Sequence, residues 1–414
     1  MFACAGLVSA FAACGGSSVE PPKVAEQTKP ELANPQTESG KRTAEKLEAQ
    51  GVSQDARDEL DRGIALLGSD RGAALARFQS AAKKSPQFAA AQYNAGALLE
   101  ENGDLDGAAR AYQAAVKADP SYGPGVAGLA SLQVARGDEL SAIASLQKQI
   151  ADHPDSAVAR GTLAQLQARR GDLEAARTNA IEGLHLDERS AEAMLALGMV
   201  YRRQGRTELA QLALDQAIAV DPDLGEAYNE VGLVQLQMNE KPKAVVSFEK
   251  AAAASPRSAA VHNNLGAMRN EVGAFDGAAD EIRKAIALNG NEAKYYLNLG
   301  NALRGQQKYA EAEQAYRQAL TVNGGVPDAY FNLGILYLDN DIAGKDAMTR
   351  YHESIGFLND YTAKASPSER DQTQVKDYIA TAQKAIDGEE RRLDREKKRQ
   401  EKDAARAATP AKGQ

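Results

Sequence analysis

The chain has 414 residues, of which 26% are charged and 5% aromatic, with no tryptophan and a formal net charge of −8. That balance argues against general nucleic-acid binding by its body. Both cysteines, Cys4 and Cys14, precede residue 15, so no disulfide can form further along, and no later run approaches the about eighteen apolar residues of a membrane-spanning helix.

The first residues carry an apolar run, Ala5–Ala13, that ends in Ala12-Ala13-Cys14-Gly15. Small residues before a cysteine, after a short apolar run, resemble a bacterial lipoprotein signal. The resemblance implies cleavage before Cys14, which would then carry the lipid. Two features depart from that pattern. Phe11 stands where leucine is preferred, and no Lys or Arg precedes Lys23, so the basic start is missing. A start codon assigned too far downstream would explain the second. Gly15 is not the aspartate that retains such proteins at the inner membrane, so the resemblance implies an outer-membrane lipoprotein facing the periplasm. The alternative is a soluble cytoplasmic protein with an apolar start. Residues 15–54 are polar, with Pro21, Pro22, Pro30 and Pro35 and no sustained apolar period. Such a segment reads as a disordered tether, and about forty residues of it span roughly 35 Å root-mean-square.

From residue 55 a period takes over. Gly300 repeats at steps of 34 as Gly266, Gly232, Gly198, Ala164, Ala130 and Gly96, and forward as Gly334. Ala312 repeats in the same step back to Ala108, and Pro86, Pro120, Pro154, Pro222 and Pro256 close units in phase. Within residues 293–326, Tyr296, Leu299 and Leu303 make one helical stripe, and Tyr309, Ala312, Tyr316, Ala319 and Leu320 make a second. Glycine in a helix costs about 0.5–1 kcal/mol relative to alanine. Gly300 therefore predicts close approach of the second helix, at Ala312. Neither helix can bury its stripe alone, so each unit needs neighbours. A helix–turn–helix repeat of this period resembles the tetratricopeptide repeat (TPR), with Gly232, Ala244, Phe248 and Pro256 matching its pattern. The resemblance implies an all-α solenoid, a right-handed superhelix of antiparallel helix pairs, with eight repeats over residues 55–326. The first is divergent, with Gly63 one place late. Turns such as Gly103-Asp104, Gly137-Asp138, Gly171-Asp172 and Gly205-Arg206 predict a left-handed helix end followed by a cap.

Residues 123–128, GPGVAG, match a phosphate-loop pattern but follow a helix and a closing proline. A dinucleotide site needs a strand before that motif. The glycines predict instead a weak first helix in the third repeat. Past residue 326, Pro327–Leu338 reads as a first helix, and Tyr351, Ile355, Leu358 and Tyr361 as its partner stripe. Ser366-Pro367-Ser368-Glu369 predicts a helix start capped by Ser366, and Val375, Ile379 and Ile386 a face that covers the open end. Residues 327–388 are thus a partial ninth repeat with capping helices. The charged stretch 389–414 is either an extended helix or a disordered tail.

The four histidines show no metal-ligand spacing, and no nucleophile comes with a recognisable base. The reading is of no enzyme, no cofactor, no metal, no nucleic acid and no small-molecule substrate. His262 stands where other repeats place Tyr228, Tyr296 and Tyr330, a packing position. The family resemblance implies a concave groove lined by first helices. Its groove positions include Asn264, Lys294, Asn298, Asn301, Arg304, Phe331 and Asn332. Asparagine amides can both donate to and accept from a peptide backbone, which suits an extended protein partner, though asparagine is also common at that position in the family. The family's carboxylate clamp is half present: Asn264 and Lys294 fit it, while Leu233 and Asn298 do not. Lipid anchor, tether, repeats and charged tail together resemble the TPR lipoproteins of the myxobacterial adventurous-gliding machinery, as does the segment PDAYFNLGILYLDNDIAGKDAMTRYHESIGFLNDY. The resemblance implies a scaffold in a multiprotein envelope complex with periplasmic and outer-membrane partners. The alternative is an accessory or adaptor subunit of an enzyme or of a pilus or outer-membrane assembly machine.

Overall fold

The computed structural model describes residues 47–365 and 367–408, with side chains to residue 404. Cys14, the segment 1–14 and the tether up to residue 46 lie outside the described residues. Among the described residues all regular structure is helical. The described residues form consecutive helix pairs of the TPR solenoid class, and they divide between Val261 and His262 into two compact units.

Six repeats make the first unit. Helices α1 (Gln54–Leu66) and α2 (Arg71–Lys84) form the first pair, α3 (Ala89–Glu101) and α4 (Leu105–Ala118) the second. The third is α5 (Gly123–Ala135) with α6 (Glu139–Asp152), and the fourth α7 (Ala157–Arg170) with α8 (Leu173–Leu186). Helices α9 (Ala191–Arg203) and α10 (Thr207–Val220), then α11 (Gly225–Gln237) and α12 (Lys241–Ala254), complete it. Ahead of α1, residues 47–49 are helical, Val52 is buried, and Ser53 caps α1 by accepting from the Ala56 N–H.

The periodic glycine is a socket for a large side chain of the same repeat. A Cβ on Gly232 would stand 2.6–2.8 Å from the Phe248 ring, and one on Gly96 would stand 2.7 Å from Tyr112. Both rings are fully buried. Gly198 faces Leu214 and Gly63 faces Phe78 in the same way, so the late glycine of the first repeat still meets its ring. In the fourth repeat the socket holds Ala164, and the facing residue is Ala180, small on both sides. The α5 glycines make room instead for side chains of the preceding repeat. Gly128 leaves space for Tyr93 and Tyr112, and Gly125 for Ala115, in a helix formed over its full length from Gly123.

Turns inside the repeats carry Gly103, Gly137, Gly171 and Gly205 at φ between 73° and 92°. Asp104 and Asp138 then cap α4 and α6 by accepting from the N–H groups of Gly107 and Ser141. Asp172 and Arg206 make no such bond, so half of the expected caps are backbone turns only.

The second unit holds α13 (Ala259–Glu271) from His262 onward and α14 (Phe275–Leu288), then α15 (Ala293–Gly305) with α16 (Tyr309–Val322). After them come α17 (Pro327–Asp339), α18 (Ala347–Ala365) and α19 (Glu369–Ala408). The socket of Gly300 is filled by the Tyr316 ring, one helical turn beyond Ala312. The buried line of α18 coincides with the expected aromatic and aliphatic stripe at Leu358. It runs through Arg350, Ser354 and Leu358, while Tyr351 and Ile355 are half-buried. The polar members have work to do. Arg350 donates to the carbonyls of Tyr337 and Asn340 and to Asp341, holding the long turn after α17, and Ser354 donates to the Gly334 carbonyl at 2.7 Å.

Ser366, the expected cap of α19, lies outside the described residues; the Ser368 hydroxyl accepts from the Asp371 N–H at 3.3 Å. Val375, Ala382 and Ile386 of α19 are buried with Ile379 beside them. Past Gly388 the helix continues with every described side chain exposed or half-exposed. Pairs along its length, such as Arg392 with Glu396 at 3.1 Å and Lys398 with Asp394 at 2.7 Å, accompany it. Each pair adds a few tenths of a kcal/mol in such a helix.

Candidate functional site

In the second unit the first helices of successive pairs, α13, α15 and α17, carry amides that meet from helix to helix. Asn298 Nδ2 on α15 donates to Asn263 Oδ1 on α13 at 2.9 Å. Asn270 Nδ2, two turns further along α13, donates to the Asn298 carbonyl at 3.1 Å. One step on, Asn332 Nδ2 of α17 donates to Asn301 Oδ1 at 3.1 Å, and the same oxygen accepts from the Tyr316 hydroxyl at 2.8 Å. Burial pushes that phenol up to about 12, so it stays a donor. The Asn301 amide nitrogen and the Asn332 carbonyl oxygen have no partner among the described residues. Both residues are half-buried, so these groups remain open to a bound chain.

Of the groove residues read from the sequence, the structure thus brings Asn301 and Asn332 together and sets Asn298 against Asn263. Asn263 was missed because it stands one place before the sixth-position asparagine Asn264, which is half-buried. Lys294 lies with Nζ 5.6 Å from the Tyr295 ring centre. Arg304 is half-buried on α15, one turn past Asn301, and makes no ion pair among the described residues. Phe331 joins the terminal helices: its ring centre is 5.2 Å from Tyr361 on α18 and 6.1 Å from Tyr378 on α19. It therefore packs under the cap and does not stand alone as a groove floor.

His262 is buried as its packing position requires, but it also works electrostatically. Its Nδ1 lies 2.6 Å from Glu281 Oε2, and Arg269 and Lys284 reach the other oxygen at 3.2 and 3.0 Å. Burial pushes the Glu281 carboxyl up, and the bonds from Lys284 and His262 outweigh it, holding the group below its usual 4.5.

The inner helices of the first unit are joined differently. Arg202 Nε on α9 donates to Glu230 Oε2 on α11 at 2.6 Å, with both side chains buried, and Arg169 on α7 pairs with Glu226 on α11. Both of these carboxylates are consumed internally. Among the described residues no three His, Cys, Asp or Glu side chains converge as metal ligands do.

Models of the tetratricopeptide-repeat family match residues 60–123, 195–252, 232–293 and 293–325. No curated protein matches the chain. Among solved structures, the APC/C hetero-tetramer Cut9-Hcn1 superposes at a TM-score of 0.61 with 16% identity, over 80% of this chain and 64% of that one. The chain spans just under two thirds of that relative, and the likeness is one of fold. The Pseudomonas aeruginosa protein pilF gives a TM-score of 0.45 at 20% identity, over 53% of this chain and 97% of that one. YrrB, described as a TPR protein with an unusual peptide-binding site, gives 0.34 at 18% identity, over 44% and 95%.

Proposed function

We propose that this tetratricopeptide-repeat chain is a non-enzymatic scaffold that captures extended protein segments along the inner helices of its second unit. TPR chains in general act as interaction scaffolds, and the observation that carries the specific reading is the Asn301–Asn332 pair. Its unused donor and acceptor sit where a peptide backbone can satisfy them, as an added strand would. The scaffold is held at a bacterial outer membrane through a lipid on Cys14, and serves a multiprotein envelope complex of the gliding-machinery kind. The small residues before Cys14 and the polar 15–54 segment support that placement.

Two measurements test this. Asn298→Ala with Asn332→Ala should weaken partner capture several-fold or more, at about 0.5–1.5 kcal/mol per lost hydrogen bond, with helicity unchanged. Capture equal to wild type by the double variant would move the site elsewhere. Cys14→Ser should shift the protein from membranes to the soluble periplasm, since stable anchoring takes more than one acyl chain, as a mature lipoprotein has. An unmodified Cys14 by intact mass in a lipoprotein-processing host would refute the anchor.

A further inference from the structure

The repeat supplies its own control for a charge in the second unit. Arg202 and Arg304 occupy the same place, the twelfth, in the fifth and eighth repeats. Glu230 and Asn332 occupy the same place, the sixth, in the repeats that follow. In the first pair the arginine finds its carboxylate at 2.6 Å. In the second the carboxylate has been replaced by an amide, and that amide is turned to Asn301 at 3.1 Å. Arg304 has no ion pair among the described residues, although it is half-buried. Asp339 feels its field but stays beyond pairing distance. Burial raises that carboxyl above its usual value and Arg304 only moderates the rise. A guanidinium partly withdrawn from water without a paired counter-charge gains from any carboxylate brought to it, and the planar fork of Arg can hold a carboxylate through two parallel hydrogen bonds.

From this pairing we infer that Arg304 is the specificity site of the groove. It receives the acidic side chain, Asp or Glu, of an extended peptide, in the slot that Glu230 fills for Arg202. The inference rests on the groove reading above and adds to it the class of residue the partner must carry. The peptide backbone meets the Asn301–Asn332 pair, and its acidic side chain lies one helical turn along α15.

The test is selection of a random peptide library displayed on phage against the full chain. Enriched peptides should carry Asp or Glu at one fixed position. Changing that residue to Gln or Asn in the free peptide should raise Kd about tenfold or more. Arg304→Gln should cause the same loss and make the peptide change silent. Asn332→Glu should also abolish the acidic preference, by rebuilding the Arg202–Glu230 pair inside the chain, and circular dichroism should show both variants folded. Peptides that bind without an acidic preference, or with one that survives Arg304→Gln, overturn this inference and leave the groove in place. No enriched peptide at all would remove the groove and this inference together.

Discussion

Replacing Gly232 by alanine sets two opposed effects against each other. Alanine is the better helix former by about 0.5–1 kcal/mol, so an open site would gain. Gly232 is not open: the new methyl would stand 2.6, 2.8 and 2.8 Å from three Phe248 ring carbons, and the ring is fully buried with nowhere to retreat. Overfilling of this kind costs about 1–3 kcal/mol, so Gly232→Ala should destabilise its repeat by up to about 2 kcal/mol net. Gly356 on α18 is the control, since a Cβ there meets nothing within 4 Å, and Gly356→Ala should stabilise by about 0.5–1 kcal/mol. The double change Gly232→Ala with Phe248→Ala should make the pair resemble Ala164 and Ala180, so the alanine at 232 no longer clashes once the ring is gone. Because a solenoid need not unfold in one step, the assay is residue-level hydrogen exchange over α11 and α12, with denaturant melts in support. Gly232→Ala that protects α11 as much as Gly356→Ala protects α18 would refute the socket.

The Glu281 carboxyl is held below its ordinary value in the folded chain, so its stabilising contribution is present above pH 4.5 and is lost as pH falls through the lower folded value. Glu281→Gln should therefore flatten the acid limb of stability in the second unit, and an unchanged limb would dismiss the pairing with His262 and Lys284. Arg350→Met leaves the Tyr337 and Asn340 carbonyls without their donor, at about 1–3 kcal/mol per buried group. Faster exchange confined to the turn after α17 is expected, and equal protection would assign the turn to other contacts. The glycines of α5 lower its helix propensity, so residues 121–130 should exchange faster than 291–300. Equal rates would mean that the packing of Gly125 and Gly128 offsets their cost.

The repeat was legible because three classes of position, glycine, alanine and proline, hold one period, and periodicity survives in sequence without any knowledge of neighbours. Contacts across the helices were less so. The sequence pairs Gly300 with Ala312, yet the side chain in its socket is Tyr316, which a period alone cannot distinguish. The buried face of α18 was misread in part because a search for apolar spacing passes over Arg350 and Ser354, whose purpose is to satisfy carbonyls of the turn before them. Asn298 and Asn332 were found by position, but their partners Asn263 and Asn301 could be known only once helix packing set the register. At the start of α19, Ser368 and Asp371 share the i,i+3 spacing of Ser366 and Glu369, so the sequence alone offers two overlapping caps. The covering of Phe331 by Tyr361 and Tyr378 joins rings from three helices, which no local pattern records.

The socket of each repeat closes on a residue of that same repeat, and this has a genetic consequence. A duplicated cassette carries both halves of its lock, glycine with a ring or an aliphatic side chain, or alanine with alanine, and so arrives ready to fold wherever it is inserted in phase. The Arg202–Glu230 pair behaves in the opposite way. Its members belong to different cassettes, and excising the sixth repeat would strand the arginine while leaving the sockets of the other repeats intact. Duplication can therefore lengthen such a chain freely, whereas the charges that straddle a boundary record which neighbours have stayed together long enough to be fitted to one another.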